Sequence, residues 1–132
     1  MIIAIDGPSA SGKSTTAKGV SNKLGFTHID TGSMYRAVTF GLSYENIMPD
    51  DLNSINSYLR NLDLKFYSNG HIILNGENVS NAIRTVEISS KVSMISAIPD
   101  IRNKMVDFQR SIAGKSNCVL EGRDIGTVVF PN

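Results

Sequence analysis

Eight consecutive residues near the start of the chain have the types and spacing of a phosphate-binding loop. Residues 7–14, Gly-Pro-Ser-Ala-Ser-Gly-Lys-Ser, match the pattern G-x-x-x-x-G-K-[ST] at every fixed position. In such a loop, successive backbone N–H groups and the start of the following helix present donors to polyphosphate oxygens, and glycines let the backbone wrap closely. The sequence therefore predicts a binding site for a nucleoside triphosphate.

The polar residues of this loop have separate predicted roles. We expect the Lys13 ammonium group to contact the β- and γ-phosphates, and the Ser14 hydroxyl to coordinate the Mg²⁺ ion that bridges them. Thr15 supplies a further hydroxyl near the α-phosphate. The loop alone selects neither the reaction nor the base. The predicted triphosphate-binding residues are Gly7, Pro8, Ser9, Ala10, Ser11, Gly12, Lys13, Ser14 and Thr15.

A second polar cluster follows the next predicted strand, residues 26–30. Helical spacing places Tyr35 one turn beyond Thr31, and Arg36 is the next residue. Open α/β sheets bind ligands at the carboxyl ends of their strands, so we expect an aromatic surface and a phosphate-binding guanidinium group there. A solvated surface charge is the alternative interpretation of Arg36.

A third cluster follows the last predicted strand, residues 119–121. Arg123 would hold a phosphate and Asp124 would accept a hydrogen bond from an exocyclic amino group. A local Arg–Asp pair on the surface is the alternative, and sequence spacing does not separate the two interpretations.

These clusters require a parallel sheet flanked by helices, which is the α/β fold class. Residues 2–5, 26–30 and 119–121 are predicted strands, and the first is an apolar run typical of a strand buried on both faces of a parallel sheet. Helical spacing of apolar residues follows the first two strands. It returns in residues 49–62 and 86–113, with an interruption at Pro99.

The middle of the chain has a different pattern. Apolar and polar residues alternate from Leu62, and the Asn69-Gly70 and Asn75-Gly76 turns predict an antiparallel hairpin with a short third strand around Val79. We therefore divide the chain into a P-loop core with the first part of a second site (1–62), a strand-rich insert (63–84) and a return to the core (85–132).

Composition and charge exclude several classes of protein. With 41% hydrophobic and 19% charged residues, the 132-residue chain is within the range of ordinary globular domains. A net charge of +1 supplies no basic field for nucleic acid. The first apolar run, 1–5, is too short for a signal peptide or a membrane span, so we expect a cytoplasmic protein. The single cysteine, Cys118, is predicted to be a buried core residue.

Several separated motifs together resemble the bacterial cytidylate kinase family, and the resemblance covers all 132 residues. It implies a P-loop NTPase-type parallel sheet with a small antiparallel insert that binds a nucleoside monophosphate (NMP). It also implies phosphorylation of CMP, and of dCMP, with ATP as co-substrate, Mg²⁺ and no covalent intermediate. The motifs are Ile5-Asp6-Gly7-Pro8-Ser9, Asp30-Thr31-Gly32, Met34-Tyr35-Arg36, Ile83-Arg84-Thr85 and the run from Gly122-Arg123-Asp124 to Pro131.

The resemblance implies roles for individual residues. Arg36 and Arg123 would hold the acceptor phosphate and, with Lys13, would be the catalytic residues. Ser93, Arg102 and Asp124 would read cytosine, whose amino donor lies beside acceptor positions; helix-surface positions are the alternative for Ser93 and Arg102. The implied CMP-binding residues are Thr31, Tyr35, Arg36, Ser93, Arg102, Arg123 and Asp124.

The family continues past Asn132 into further core strands, an arginine-bearing lid and a segment that cradles adenine. We therefore expect strand 2–5, central in the family, to have one unpaired edge here, and expect slow or no turnover by these 132 residues because the lid supplies cations. The expected partners are small molecules, without nucleic acid or membrane, and the full-length protein is expected to be a monomer.

Two other functions remain as alternatives. One is a nucleotide-binding module without catalysis. The other is a GTPase switch, which is disfavoured because Asn103-Lys104 is followed by Met105 and Val106 rather than by the Asn-Lys-x-Asp run that reads guanine.

Overall fold

A computed structural model describes residues 1–8, 12–67 and 71–131 of the chain. Its helices and strands confirm the predicted α/β class. In chain order they are β1 (Ile2–Asp6), α1 (Lys13–Leu24), β2 (Thr27–Asp30), α2 (Thr31–Tyr44), α3 (Leu52–Arg60), β3 (Leu64–Phe66), β4 (Ile72–Leu74), β5 (Glu77–Asn78), α4 (Val86–Ser96), α5 (Pro99–Ala113) and β6 (Cys118–Gly122).

The chain divides into two compact units, one formed by Met1–Gly32 with Val106–Asn132 and the other by Ser33–Met105. The division by function at residues 62/63 and 84/85 stays a prediction. None of the described helices combines the length and the apolar character that crossing a membrane requires.

The first unit contains a parallel sheet with the strand order β1-β6-β2. Ile5 and Asp30 are the register partners of Glu121, on either side of the central strand. The carboxyl ends of all three strands therefore meet at one edge of the sheet. The sequence predicts such a parallel sheet, and the prediction is confirmed.

The central strand β6 is buried along its whole length. Cys118, its first residue, is 0% exposed and has a free thiol, which confirms the predicted core position. Burial raises the pKa of this thiol above its ordinary value, because a thiolate would lose its hydration there.

The first strand differs from the prediction that residues 2–5 are buried on both faces. Ile2 is 37% exposed, Ala4 is also exposed, and Ile3 and Ile5 are half-buried. Among the described residues, β1 pairs with β6 alone, so its other edge has no strand neighbour. The prediction of burial on both faces was wrong because an apolar run does not show which elements cover a strand, whereas the expected unpaired edge is present among the described residues.

The second unit contains a small antiparallel sheet with the order β3-β4-β5 and the register pair Leu64↔Leu74. The predicted Asn69-Gly70 turn lies outside the described residues. Asn75 and Gly76 have φ angles of 48° and 88°, as a type I′ turn requires. The third strand is β5, and Val79 directly after it is buried.

Helix α3 begins after Pro49-Asp50-Asp51, within the predicted helical stretch 49–62. The Asp51 side chain caps the helix by accepting a hydrogen bond from the Ser54 backbone N–H at 3.1 Å. The predicted interruption at Pro99 is also confirmed, because α4 ends at Ser96 and α5 begins at Pro99.

Packing within the second unit makes Gly41 sensitive to substitution. A Cβ at Gly41 would lie 1.7 Å from Tyr58 Oη and 2.7 Å from Tyr58 Cζ. The ring is enclosed enough that burial, helped by the charge of Glu45, raises the pKa of Tyr58 to about 12. We expect Gly41→Ala to lower the free energy of unfolding by about 1–3 kcal/mol, measured by urea denaturation.

The matched control is Gly19→Ala in α1, where an added Cβ meets no heavy atom within 4 Å. Alanine is the better helix former by about 1 kcal/mol, so this substitution should be neutral or stabilising. A Gly41→Ala chain as stable as the unchanged protein would show that Tyr58 moves aside at no cost.

Candidate functional site

The predicted phosphate-binding loop runs from β1 into α1. Ser9, Ala10 and Ser11 lie outside the described residues, whereas both ends of the loop are described. The Gly7 N–H donates to the Gly122 carbonyl at 3.1 Å, which extends the β1–β6 ladder into the loop. Gly12, with a φ of 84°, caps α1, so the first N–H groups of that helix follow it directly.

The lysine of the loop lies at this helix end. Lys13 Nζ donates a hydrogen bond to the Pro8 carbonyl at 3.3 Å, so its side chain folds back towards the loop. The first turn of α1 contains no acidic side chain. The ammonium group and the helix dipole therefore act together to favour an anion.

Glu121 is a site residue to which the sequence assigned no role. Its side chain is 1% exposed, although it precedes the last residue of β6 and contacts the start of α1. Ser14 Oγ donates to Glu121 Oε2 at 2.6 Å, and His28 Nε2 lies 2.6 Å from Glu121 Oε1. Both carboxylate oxygens are therefore hydrogen-bonded, as a buried charge requires.

A sequence signal for Glu121 was available. The apolar run Cys118-Val119-Leu120 ends in this acidic residue. In P-loop NTPases a carboxylate in such a place, together with the loop Ser or Thr, holds Mg²⁺. The predicted role of Ser14 therefore indicates a carboxylate partner at this strand end.

Asp6 holds the segment after β6. Its carboxylate accepts hydrogen bonds from the backbone N–H groups of Ile125 and Gly126, both at 2.8 Å. A single π-helical turn, Ile125–Val129, begins at this point. The sequence shows no helix after Gly122, because this turn depends on a contact with a residue 119 positions away.

Thr31 and Gly122 pack closely beneath that segment. The Thr31 hydroxyl is buried and donates to the Glu121 carbonyl at 2.8 Å. A Cβ at Gly122 would lie 2.5 Å from Thr31 Oγ1 and 3.0 Å from Ile125 Cδ1, so only glycine fits without a shift. Arg123 is exposed and Asp124 is half-buried, directly before the turn. The predicted roles of Thr31, Arg123 and Asp124 in binding CMP stay predictions.

In the second unit, one arginine binds the 3₁₀ turn Ala82–Arg84 and a second arginine is its last residue. Arg36 Nη1 donates to the Ile83 carbonyl at 3.2 Å and to Ser89 Oγ at 2.7 Å. Arg84 Nη2 donates to Ser33 Oγ at 2.8 Å. Arg36 is half-buried and held in place, which argues against a solvated surface charge. Arg84 belongs to a motif already noted, but the sequence assigned it no role.

The remaining predicted site residues of this unit lie on three helices. Tyr35 is half-buried on α2, Ser93 is exposed on α4, and Arg102 is half-buried on α5. Their roles in reading CMP stay predictions.

A strand that leads through a G-x-x-x-x-G-K-[ST] sequence into a helix, within a parallel sheet, defines the P-loop class of nucleotide-binding proteins. The family model for cytidylate kinase matches residues 3–132. The chain belongs to the cytidylate kinase family, which confirms the resemblance of its motifs.

Three relatives illustrate the similarity. The cytidylate kinase of Fusobacterium nucleatum subsp. nucleatum is 47% identical over 137 residues, covering 100% of this chain and 60% of that protein. The cytidylate kinase of Chloroherpeton thalassium is 48% identical, with 100% and 57% covered. That of Caldanaerobacter subterraneus subsp. tengcongensis is 49% identical, with 98% and 58% covered. The chain thus spans about three fifths of the length of these relatives.

The Asp6 contacts predict that replacing its carboxylate loosens the segment after β6. In Asp6→Asn one carboxylate oxygen becomes an amide NH₂, which cannot accept from a backbone N–H. We expect hydrogen exchange at Ile125 or Gly126 to accelerate by about tenfold or more, since a hydrogen bond to a charged group contributes about 1.5–3 kcal/mol.

The control substitution is Asp107→Asn, at an exposed position of α5 in the same unit. It should leave exchange at both amides unchanged. Equal exchange rates in Asp6→Asn and the unchanged chain would mean that the two contacts do not hold this segment.

Proposed function

We propose that the whole protein transfers the γ-phosphoryl group of ATP to CMP, and to dCMP, in pyrimidine nucleotide metabolism. The observation that carries the proposal is the 2.6 Å hydrogen bond from the Ser14 hydroxyl to the buried Glu121 carboxylate, at the end of a P-loop sequence. Relatives of this chain are named cytidylate kinase, which supports CMP as the acceptor.

The triphosphate side of the reaction is assigned to the first unit. Loop amides and the start of α1 would bind the phosphates of ATP, with Lys13 contacting the β- and γ-phosphates. The contact of Lys13 Nζ with the Pro8 carbonyl, at 3.3 Å, keeps the ammonium group near the loop. That hydrogen bond is long enough to be exchanged for one to a phosphate oxygen.

The oxygens of Ser14 and Glu121 fit the preference of Mg²⁺ for hard oxygen ligands. In the part of the chain that the structure describes, no group of three or more His, Cys, Asp or Glu side chains is placed to hold a metal. Mg²⁺ would therefore take most of its ligands from phosphates and water, as it does in many kinases. When bound, it neutralises charge on the β- and γ-phosphates.

The acceptor side rests on the pattern of the family and on the arginines of the second unit. We assign the acceptor phosphate to Arg36 and Arg123, and we add Arg84, which follows the Arg36 partner Ile83 and is itself held by Ser33. Cytosine recognition is assigned to Ser93, Arg102 and Asp124. The small sheet β3-β4-β5 would be the NMP-binding insert of a P-loop NTPase-type fold.

The chemistry requires positioned cations rather than a covalent intermediate. The transferring phosphoryl group develops charge on its equatorial oxygens, and cationic side chains stabilise that charge. Lys13, Arg36 and Arg123 are the catalytic residues proposed for this role. The proposal concerns the whole protein, because the relatives are longer than this chain.

Replacing the loop lysine tests the triphosphate site. Lys13→Ala should weaken ATP binding about tenfold to a hundredfold, because a charge-assisted hydrogen bond contributes about 1.5–3 kcal/mol. Isothermal titration with ATP and Mg²⁺ measures this change. The matched control is Lys18→Ala, at an exposed position of the same helix. Equal weakening by both substitutions would contradict a specific role for Lys13.

Comparing CMP with cytidine tests the acceptor phosphate. Arg36→Ala should weaken CMP binding by about tenfold or more, by the same energetic argument, and should leave the weaker binding of cytidine unchanged. Arg60→Ala, at an exposed position of α3, is the control. A loss that is equal for CMP and cytidine would assign Arg36 to the base or to folding instead.

Turnover distinguishes the proposed kinase from the alternative, a nucleotide-binding module without catalysis. A coupled assay for ADP formation, run on the full-length protein with ATP, Mg²⁺ and CMP, should show product that depends on CMP. Binding of both nucleotides without ADP release would favour the module, and a preference for GTP over ATP would contradict the proposal.

A further inference from the structure

His28 contacts the triphosphate site without belonging to any of its motifs. It lies on β2, and its side chain is 23% exposed. Asp30, two residues later, is the register partner of Glu121. Side chains two apart on a strand share a face, so His28 and Glu121 lie diagonally on one face of the sheet. His28 Nε2 is 2.6 Å from Glu121 Oε1.

The hydrogen bonds of Glu121 explain why a donor is needed at position 28. The Ser14 hydroxyl has one hydrogen, and it is donated to Oε2. In the part of the chain that the structure describes, His28 is the group that reaches the buried Oε1, and an oxygen of a buried charge needs such a partner. We assign the hydrogen of this contact to His28 Nε2, because an ionised carboxylate only accepts hydrogen bonds.

The contacts connect His28 through Glu121 to Ser14, which belongs to the loop. His28 fixes Oε1, and the fixed carboxylate presents Oε2 to the Ser14 hydroxyl. Because the hydroxyl hydrogen points to Glu121, the lone pairs of Ser14 Oγ are left for a cation on the other side. Groups that orient metal ligands in this way typically change metal affinity about 10- to 100-fold when they are removed.

We propose that His28 is a positioning residue of the triphosphate site, which orients Ser14 for Mg²⁺ through Glu121. This inference rests on the proposed binding of ATP with Mg²⁺. His28 contacts the carboxylate and needs no contact with the nucleotide. Its removal therefore weakens the effect of the metal and leaves the contacts of the loop amides with phosphate intact.

The test compares ATP affinity with Mg²⁺ and with EDTA, by isothermal titration of the full-length protein. In His28→Phe the gain in affinity from Mg²⁺ should fall about tenfold, while affinity in EDTA stays unchanged. In His28→Gln the side-chain amide retains an N–H donor, so most of the gain should be retained.

Each result supports or overturns the inference. An unchanged Mg²⁺ effect in His28→Phe, or an equal loss with and without the metal, overturns the role of His28 and leaves the proposed function standing. Failure of His28→Gln to retain more of the effect than His28→Phe also overturns it. Absence of ATP binding by the unchanged full-length protein overturns both the inference and the triphosphate site.

A second measurement needs no variant of His28 and so does not depend on its folding. In the ¹⁵N-labelled chain, the Nε2 resonance of His28 should show a bound proton and should shift when Mg²⁺ is added to the ATP-saturated protein. The chain has two histidines, so His71→Gln assigns the signals, and His71 should not respond. An unprotonated Nε2, or a resonance that ignores Mg²⁺, contradicts the proposal.

Discussion

A carboxylate that is 1% exposed constrains everything around it in the first unit. Glu121 can be charged at the end of the central strand only if donors reach both of its oxygens, since an unpaired buried charge is very costly. The Ser14 hydroxyl at the start of α1 donates to one oxygen, and His28 Nε2 on β2 lies 2.6 Å from the other. The central strand is thereby tied to both flanking segments at the edge of the sheet where phosphate would bind.

A second carboxylate has a similar role with different donors. Asp6 ends β1 and accepts two backbone N–H groups from the segment after β6. Both acidic residues therefore hold neighbouring segments through hydrogen bonds, although Glu121 is buried and Asp6 is exposed. This arrangement accounts for the close packing at Gly122, where no side chain fits between Thr31 and Ile125.

Local patterns in the sequence predicted most of the fold, because helix ends and strand runs depend on neighbouring residues. The start of α3 after Asp51 and the break at Pro99 follow from capping and from proline geometry. The exposure of β1 was missed because the elements that cover a strand are distant from it in the sequence. The turn after β6 and the role of Glu121 were missed for the same reason, since their partners are about a hundred residues away.

The site was predicted where a motif contains it and missed where side chains meet across the sheet. The loop residues were predicted from spacing alone and their binding role stays a prediction, whereas His28 has no motif and the contact of Arg84 with Ser33 appears only in the structure. Register is the missing information, because it decides which residues of β2 and β6 share a face.

The buried thiol of Cys118 has a practical consequence for work on this protein. Thiol reagents react with the thiolate, and burial disfavours that form at this position. The chain has no other cysteine. A cysteine introduced at an exposed position would therefore be the reactive one, and a fluorophore or spin label attached there would report from a single known place without prior removal of the native residue.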